Sequence, residues 1–321
     1  MLTDKKISII VICWNDEGSV KEMHRRVTEV MRGITPNWEL IYVNDASPDN
    51  ALDVLREIAA KDKHLIVLNH SRNFGGQVAY TTGMRYADGD AVILLDGDIQ
   101  DPPELFPEFV KQWLAGYTIV YGRRTRRKAS LLMRFFYKAF YRVFRKMSYI
   151  DIPLDAGEFS LIGRKALDVI NGFGEVDRYI RGMRAYVGFR SIGVPYTRDE
   201  RYSGVSTNSF FELFKWAKRM IVAFSYKPLE LISYVAAIVT VLAGIAIVVY
   251  TALYFFFPAP RGYLTMFVFM LFLGAVQLLS LSVIAEYLAR IYEEVKHRPI
   301  GIVSEVINGR SNREPFDKLR V

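Results

Sequence analysis

Between Glu230 and Arg261 the chain carries no charged residue, and a second uncharged stretch runs from Gly262 to Ala285. A helix that crosses a hydrocarbon core ~30 Å thick needs about 20 apolar residues. LISYVAAIVTVLAGIAIVVYTALYFFF and YLTMFVFMLFLGAVQLLSLSVIA are both long enough. The connection Pro258-Ala259-Pro260-Arg261-Gly262 is short, so the pair reads as a transmembrane hairpin, with helices over 229–257 and 263–288, in preference to two buried helices of a soluble domain. Lys215, Lys218, Arg219 and Lys227 precede the first span, and Arg290, Lys296, His297 and Arg298 follow the second, whereas the turn holds only Arg261. Positive-inside bias then puts both termini, including a tail over 289–321, in the cytoplasm and the turn outside. The expected location is the inner, cytoplasmic membrane, with a multi-pass topology. At the N-terminus, ISIIVIC follows Lys5-Lys6 but is too short for a signal peptide and runs into Asn15-Asp16-Glu17, so it reads as a buried strand.

Hydrophobic residues make up 51% of the 321, yet 42 Lys+Arg against 34 Asp+Glu give a net charge of +8. That composition excludes a disordered chain, and the lone Cys13 excludes a disulfide scaffold or a cysteine-based zinc site. The positive charge is local: Phe109–Ile150 holds eleven Lys/Arg and no acid. Within it, 129–147 has helical periodicity, with Arg134, Lys138, Arg142 and Arg145 on one face and Leu132, Phe136, Phe140, Val143 and Met147 on the other. That is the pattern of a helix lying in the membrane interface, its basic side toward anionic lipid headgroups. A second amphipathic helix, 209–226, leads into the first span, with Trp216 and Tyr226 suited to headgroup level. With membrane spans downstream, nucleic acid is not an expected partner.

The first ~125 residues alternate strand and helix patterns. Strands are expected over Ile7–Cys13, Glu39–Val43, Leu65–Leu68, Ala91–Leu95 and Thr118–Tyr121, with helices over Ser19–Arg32, Asp49–Lys61, Gln77–Ala87 and Pro103–Ala115 between them. This alternation predicts a parallel α/β sheet with right-handed crossovers, which binds its ligands at the carboxyl ends of the strands. Residues 1–128 form the ligand-binding half of this domain and 129–226 its second half. No G-x-G-x-x-G or G-x-x-x-x-G-K-[ST] follows a strand, so a Rossmann dinucleotide site and a P-loop are not supported.

The residues at the strand ends are polar: Trp14-Asn15-Asp16-Glu17, Asn44-Asp45, Ser71-Arg72-Asn73-Phe74-Gly75-Gly76, and Asp96-Gly97-Asp98. Two carboxylates two apart at a strand end can hold a hard divalent cation, Mg²⁺ or Mn²⁺, and leave positions for phosphate oxygens. Asp96 and Asp98 are therefore the candidate metal ligands. His24, His64, His70 and His297 show no ligand spacing with carboxylates and receive no role, and Cys13 reads as a buried strand residue.

Taken together, Ser8–Glu17, Val43–Asp49, Leu68–Gly75 and DGDIQDPPE (96–104) resemble the GT-A glycosyltransferases of family 2. The hairpin ending in EYLARIYEEVKHRP (286–299) is similar to that of the polyprenyl-phosphate glycosyltransferases. The resemblance covers nearly the whole chain. It implies a GT-A-type Rossmann-like sheet domain, followed by interfacial helices and a two-helix transmembrane hairpin. It also implies that Asp45 binds the uracil of a UDP-sugar, with Trp14, Glu17, Asn73, Gly75 and Asp96 around the nucleotide sugar. Arg124 and Arg127 match a G-x-R-x-x-R pattern at Gly122 and are placed by it near the acceptor phosphate. Arg198 and Arg201 match a later block, R-x-x-R-x-x-G-x-S, that also serves acceptor or diphosphate. Glu158 stands at the position of the family's candidate base, and Asp98 completes the catalytic pair. Relatives commonly assemble as homo-oligomers. The sequence departs from the family pattern at Ile12 (usually Pro), Ala46 (usually Gly), Glu158 (usually Asp), Ser160 (often Arg) and Thr207 (usually Lys).

The implied reaction moves a sugar, of the UDP-glucose or related UDP-hexose class, from UDP to polyprenyl (undecaprenyl) phosphate for cell-envelope or lipopolysaccharide modification. A processive polysaccharide synthase of the same fold is disfavoured by the lack of Q-x-x-R-W and by the presence of only two spans. A non-enzymatic or weakly active scaffold, or a transferase using another nucleotide-sugar donor, stays open at this point.

Overall fold

The computed structural model describes residues 1–125, 152–153, 156–198, 227–256 and 262–309. Two compact units emerge among them: an α/β unit, which includes 297–309, and a helical unit of 227–256 and 262–296. Both expected interfacial helices, 129–147 and 209–226, lie outside the described residues, as do Arg127, Arg201 and Thr207.

Four strands, β1 (Ile7–Cys13), β2 (Trp38–Asn44), β3 (Leu65–His70) and β4 (Ala91–Asp96), pair in parallel in the order β4-β1-β2-β3. They alternate with α1 (Glu17–Ile34), α2 (Ala51–Ala59) and α3 (Gly76–Tyr86). Both faces of these strands are covered, which is why they read as continuous apolar runs. Ile9, Val11, Leu40, Tyr42, Val67 and Ile93 point into one core, and Ile10, Ile41, Val43, Ile66, Leu68 and Val92 into the other. The helix α4 (Phe106–Leu114) starts after a 3₁₀ turn at Pro103–Leu105, with proline in its first turn, where a missing N–H costs nothing.

The sheet is wider than expected and is mixed. β5 (Ile119–Arg124) does not pair with β4. Between them lies β6 (Ala156–Gly163), antiparallel to both, and β7 (Ser191–Tyr196) adds in parallel outside β5. Helices α5 (Arg164–Asn171) and α6 (Ile180–Tyr186) connect β6 to β7. At the other edge β8 (Val303–Ile307) runs antiparallel to β3. The segment expected as a cytoplasmic tail is thus helix as far as Val295 and then a strand that covers the β3 edge. Asn308 ties it down, its Nδ2 donating to the carbonyls of Ala59, Asp62 and Leu65.

In the helical unit α7 (Lys227–Phe256) and α8 (Tyr263–Val295) run along the two uncharged stretches, and α8 continues to Val295, about two turns past the expected 288. Each contains a segment long and apolar enough to cross a membrane, Lys227–Ala246 and Phe269–Val295, with none of its described residues buried. Leu231, Tyr234, Ile238, Val241, Leu278 and Leu279 are all more than half exposed. In water such a surface would be a large apolar patch.

Candidate active site

The loops after β1, β2, β3 and β4 meet at the carboxyl edge of the sheet, and each contains a residue with positive φ: Asn15 (59°), Ala46 (52°), Gly75 (93°) and Ile99 (61°). Asn15 and Gly75 adopt this conformation readily. Ala46 and the buried, β-branched Ile99 do not, and strain of this kind collects at functional sites. Gly97, between the two aspartates, has a different reason: a Cβ there would stand 2.5 Å from the Ile12 carbonyl oxygen of β1. Ser19 Oγ donates to the Gly97 carbonyl at 2.6 Å and fixes the loop from α1.

Asp45, 3% exposed, directly follows β2. Its Oδ1 accepts from His70 Nδ1 at 2.7 Å and from the Phe74 N–H at 2.9 Å, and its Oδ2 accepts from the Gly75 N–H at 2.7 Å. Burial pushes this carboxyl up, but the His70 and backbone hydrogen bonds outweigh it and hold Asp45 below its ordinary 3.8. His70, given no role from the sequence, is therefore the buried partner that orients Asp45; its other ring nitrogen pairs with Thr82 Oγ1 at 2.9 Å. Spacing alone could not reveal it, because the pair joins β3 to β2. Trp14, in the loop after β1, is half exposed, and Asn73, in the loop after β3, is exposed. Glu17 receives the Asn50 backbone N–H at 3.3 Å, while its own N–H donates to Asp49 at 2.8 Å.

At the end of β4, Tyr80 donates its hydroxyl to Asp96 Oδ1 at 2.6 Å. Burial, then the charges of Asp96, Glu158 and Asp101, hold Tyr80 well above its ordinary value, so it remains a neutral donor. Asp96 itself is pushed up to about 6 by burial and by the Asp101 and Asp98 carboxylates, against the opposing Tyr80 hydrogen bond and the Arg198 charge. Arg198 brings one guanidinium nitrogen to 3.6 Å from Asp96 and 3.7 Å from Asp98, and its Nε lies 3.3 Å from Asp101. Asp101, 1% exposed, accepts from the Tyr196 hydroxyl, and its Oδ2 is buried without a hydrogen-bond partner among the described residues. Arg124 reaches the same tyrosine, Nε to hydroxyl at 3.3 Å.

These residues suit a divalent cation. Among the described residues no three His, Cys, Asp or Glu side chains group closely enough to enclose one. Asp96 and Asp98 would supply hard oxygens from two side chains and leave the other positions to ligand oxygens and water, as Mg²⁺ sites commonly do.

Glu158 sits on β6, 7% exposed. Its Oε1 accepts from Arg181 Nε at 2.8 Å and from Gln77 Nε2 at 3.1 Å, and its Oε2 is buried without a hydrogen-bond partner among the described residues. Gln77 Oε1 in turn accepts from the Ile180 N–H at 2.9 Å, so α3, β6 and α6 lock this carboxylate. Ser160, where an arginine is common in the family, donates to the Glu158 carbonyl, and Arg184 donates to the same carbonyl and to that of Gly157. Gln77, Tyr80, Asp101, Arg181 and Tyr196 escaped the sequence reading because their partners are distant in sequence. The signal available was Gln77 and Tyr80 one turn apart at the start of α3, directly after the glycine loop.

A mixed α/β sheet whose carboxyl edge gathers acidic loops and a locked glutamate is of the GT-A type. The chain belongs to glycosyl transferase family 2, whose family profile matches residues 8–170. It is 39% identical over 301 residues to the uncharacterized glycosyltransferase YkcC of Bacillus subtilis (strain 168), covering 93% of each chain. It is 33% identical over 308 residues to the SfII prophage-derived bactoprenol glucosyl transferase of Shigella flexneri, covering 95% of this chain and 99% of that one. Among solved structures, the mannosyltransferase PcManGT of Pyrobaculum calidifontis, in complex with GDP-Man and Mn²⁺, aligns with a TM-score of 0.45 and 17% identity over 87% of this chain and 88% of that one.

Proposed function

We propose that this glycosyltransferase is membrane-bound and moves a hexose from a UDP-sugar to polyprenyl phosphate on the cytoplasmic face, inverting the anomeric carbon. The observation that carries the reading is the gathering of Asp96, Asp98, Asp101, Tyr80 and Arg198 at the end of β4, at the same sheet edge as Asp45. The relatives named as bactoprenol glucosyl transferases support the acceptor class. The exposed apolar surfaces of α7 and α8 support residence in a bilayer.

Asp45 would hold the uracil. A carboxylate has about four acceptor positions, and three are taken by His70, Phe74 and Gly75, leaving one for a base N–H. Trp14, Glu17, Asn73 and Gly75 would complete the nucleotide pocket. A divalent cation held by Asp96 and Asp98 would offset the negative charge that gathers on the departing diphosphate. Arg124 and Arg198, with Arg127 and Arg201, supply positive charge for two substrates that are both anions, through the fork geometry that suits phosphate. The acceptor phosphate has a second pKa of about 6 and is mostly dianionic at pH 7, so it needs little help from a base. Glu158 therefore acts mainly by position: Arg181 and Gln77 fix one oxygen, and the other is left to receive a hydroxyl of the sugar.

The test is UDP binding by the detergent-solubilised protein, with and without Mn²⁺ or Mg²⁺. Metal-dependent binding that Asp96→Ala removes is expected. Equal binding with and without metal would overturn the assignment of Asp96 and Asp98.

A further inference from the structure

Arg198 stands beside the two carboxylates to which the divalent cation is assigned. One guanidinium nitrogen is 3.6 Å from Asp96 Oδ2 and 3.7 Å from Asp98 Oδ2, and Nε is 3.3 Å from Asp101 Oδ1. These are ion-pair separations longer than good hydrogen bonds, and Nε is buried without a hydrogen-bond partner among the described residues. Charge attracts this arginine strongly, yet hydrogen bonds latch it poorly. Its backbone neighbourhood is better fixed: Thr125 donates to the Tyr196 carbonyl through its N–H at 3.0 Å and its hydroxyl at 3.1 Å. Movement here is therefore a matter of the Arg198 side chain. A divalent cation on Asp96 and Asp98 would meet a like charge at close range in a partly buried site, where repulsion is stronger than in water.

We propose that Arg198 is an exchangeable counter-ion of this carboxylate cluster. The divalent cation and the guanidinium compete for Asp96 and Asp98, and cation binding drives Arg198 off them. The released guanidinium, still anchored next to Tyr196, turns to a phosphate oxygen of the nucleotide or acceptor, which its planar fork fits better than it fits the splayed carboxylates. Arg198 would thus link metal occupancy to phosphate binding. The proposal rests on the reading of Asp96 and Asp98 as the metal ligands.

Mn²⁺ binding to the full-length protein in detergent, followed by electron paramagnetic resonance, tests it in wild type, Arg198→Gln and Arg198→Lys, first without nucleotide and then with UDP. Without nucleotide, Arg198→Gln should bind Mn²⁺ about tenfold more tightly than wild type, because the competing charge is gone. Arg198→Lys, which keeps that charge, should stay within about threefold of wild type. With Mn²⁺ saturating, UDP should bind Arg198→Gln more weakly than wild type. If wild type binds Mn²⁺ but Arg198→Gln binds it no more tightly, the exchange is overturned and the metal assignment stands. If neither binds Mn²⁺ with or without UDP, the metal assignment falls and the exchange falls with it.

Discussion

Asp45→Asn separates a structural role of the β2 terminus from a ligand-binding one. In the native protein the carboxylate accepts three hydrogen bonds, from His70 Nδ1 and the Phe74 N–H on Oδ1 and from the Gly75 N–H on Oδ2. An asparagine offers one oxygen and one NH₂. Whichever way the amide turns, at least one of these donors loses its acceptor and faces another donor. A hydrogen bond to a charged group contributes about 1.5–3 kcal/mol, and a buried donor left unsatisfied costs about 1–3 kcal/mol. The asparagine also escapes the cost of burying a charge, so the net loss should be about 2–4 kcal/mol. For a domain of this size that lowers the midpoint of thermal unfolding by about 5–15 °C. Circular dichroism of the full-length protein in detergent, without ligand, measures it. The sign of the pH dependence follows from the lowered pKa of Asp45: its stabilisation is complete above the ordinary 3.8 and fades as pH falls toward the lower folded value. The gap between wild type and variant should therefore be full at pH 7 and narrow below about pH 4. A midpoint within about 2 °C of wild type at pH 7, or a gap that does not change on acidification, would refute the hydrogen-bond account.

Two further outcomes follow from the same site. Ala46→Gly should relieve the positive φ of 52° and raise the thermal midpoint by a few degrees, in line with about 1 kcal/mol of relieved strain; a lowered midpoint would count against the strain. Arg181→Ala should cut kcat about 10- to 100-fold while the donor KM changes little, because a carboxylate released from its lock loses alignment. Steady-state kinetics decides that, and a loss confined to KM would place Glu158 in ground-state binding.

Much of this architecture was legible in the sequence because its signals are local. The runs Ile7–Cys13 and Ala91–Leu95 are buried on both faces and could only be central strands. The uncharged stretches map onto α7 and α8 within a few residues except at the end of α8, where Glu286, Arg290, Glu293 and Glu294 broke the uncharged run while the helix continued. Three features were not legible. The antiparallel β6 depends on pairing between residues 66 to 72 apart in sequence, Leu94 opposite Ser160 and Ala91 opposite Gly163, and nothing local encodes that. The strand β8 pairs across a still larger separation, Leu68 opposite Val306. At the site, Asp45, Asp96 and Asp98 announce themselves by standing at the ends of apolar strands, whereas His70, Tyr80 and Arg181 act through hydrogen bonds between elements and look ordinary in sequence.

The central claim is that this chain joins a sugar to a lipid phosphate. The most direct measurement incubates the purified protein in detergent with undecaprenyl phosphate, Mg²⁺ or Mn²⁺ and each of a panel of UDP-sugars, then weighs the extracted lipid by mass spectrometry. The account predicts a lipid heavier by one hexose residue with at least one UDP-hexose, lost on chelation and in Asp98→Ala. A lipid of unchanged mass with every UDP-sugar, from protein that binds UDP and metal, would contradict it.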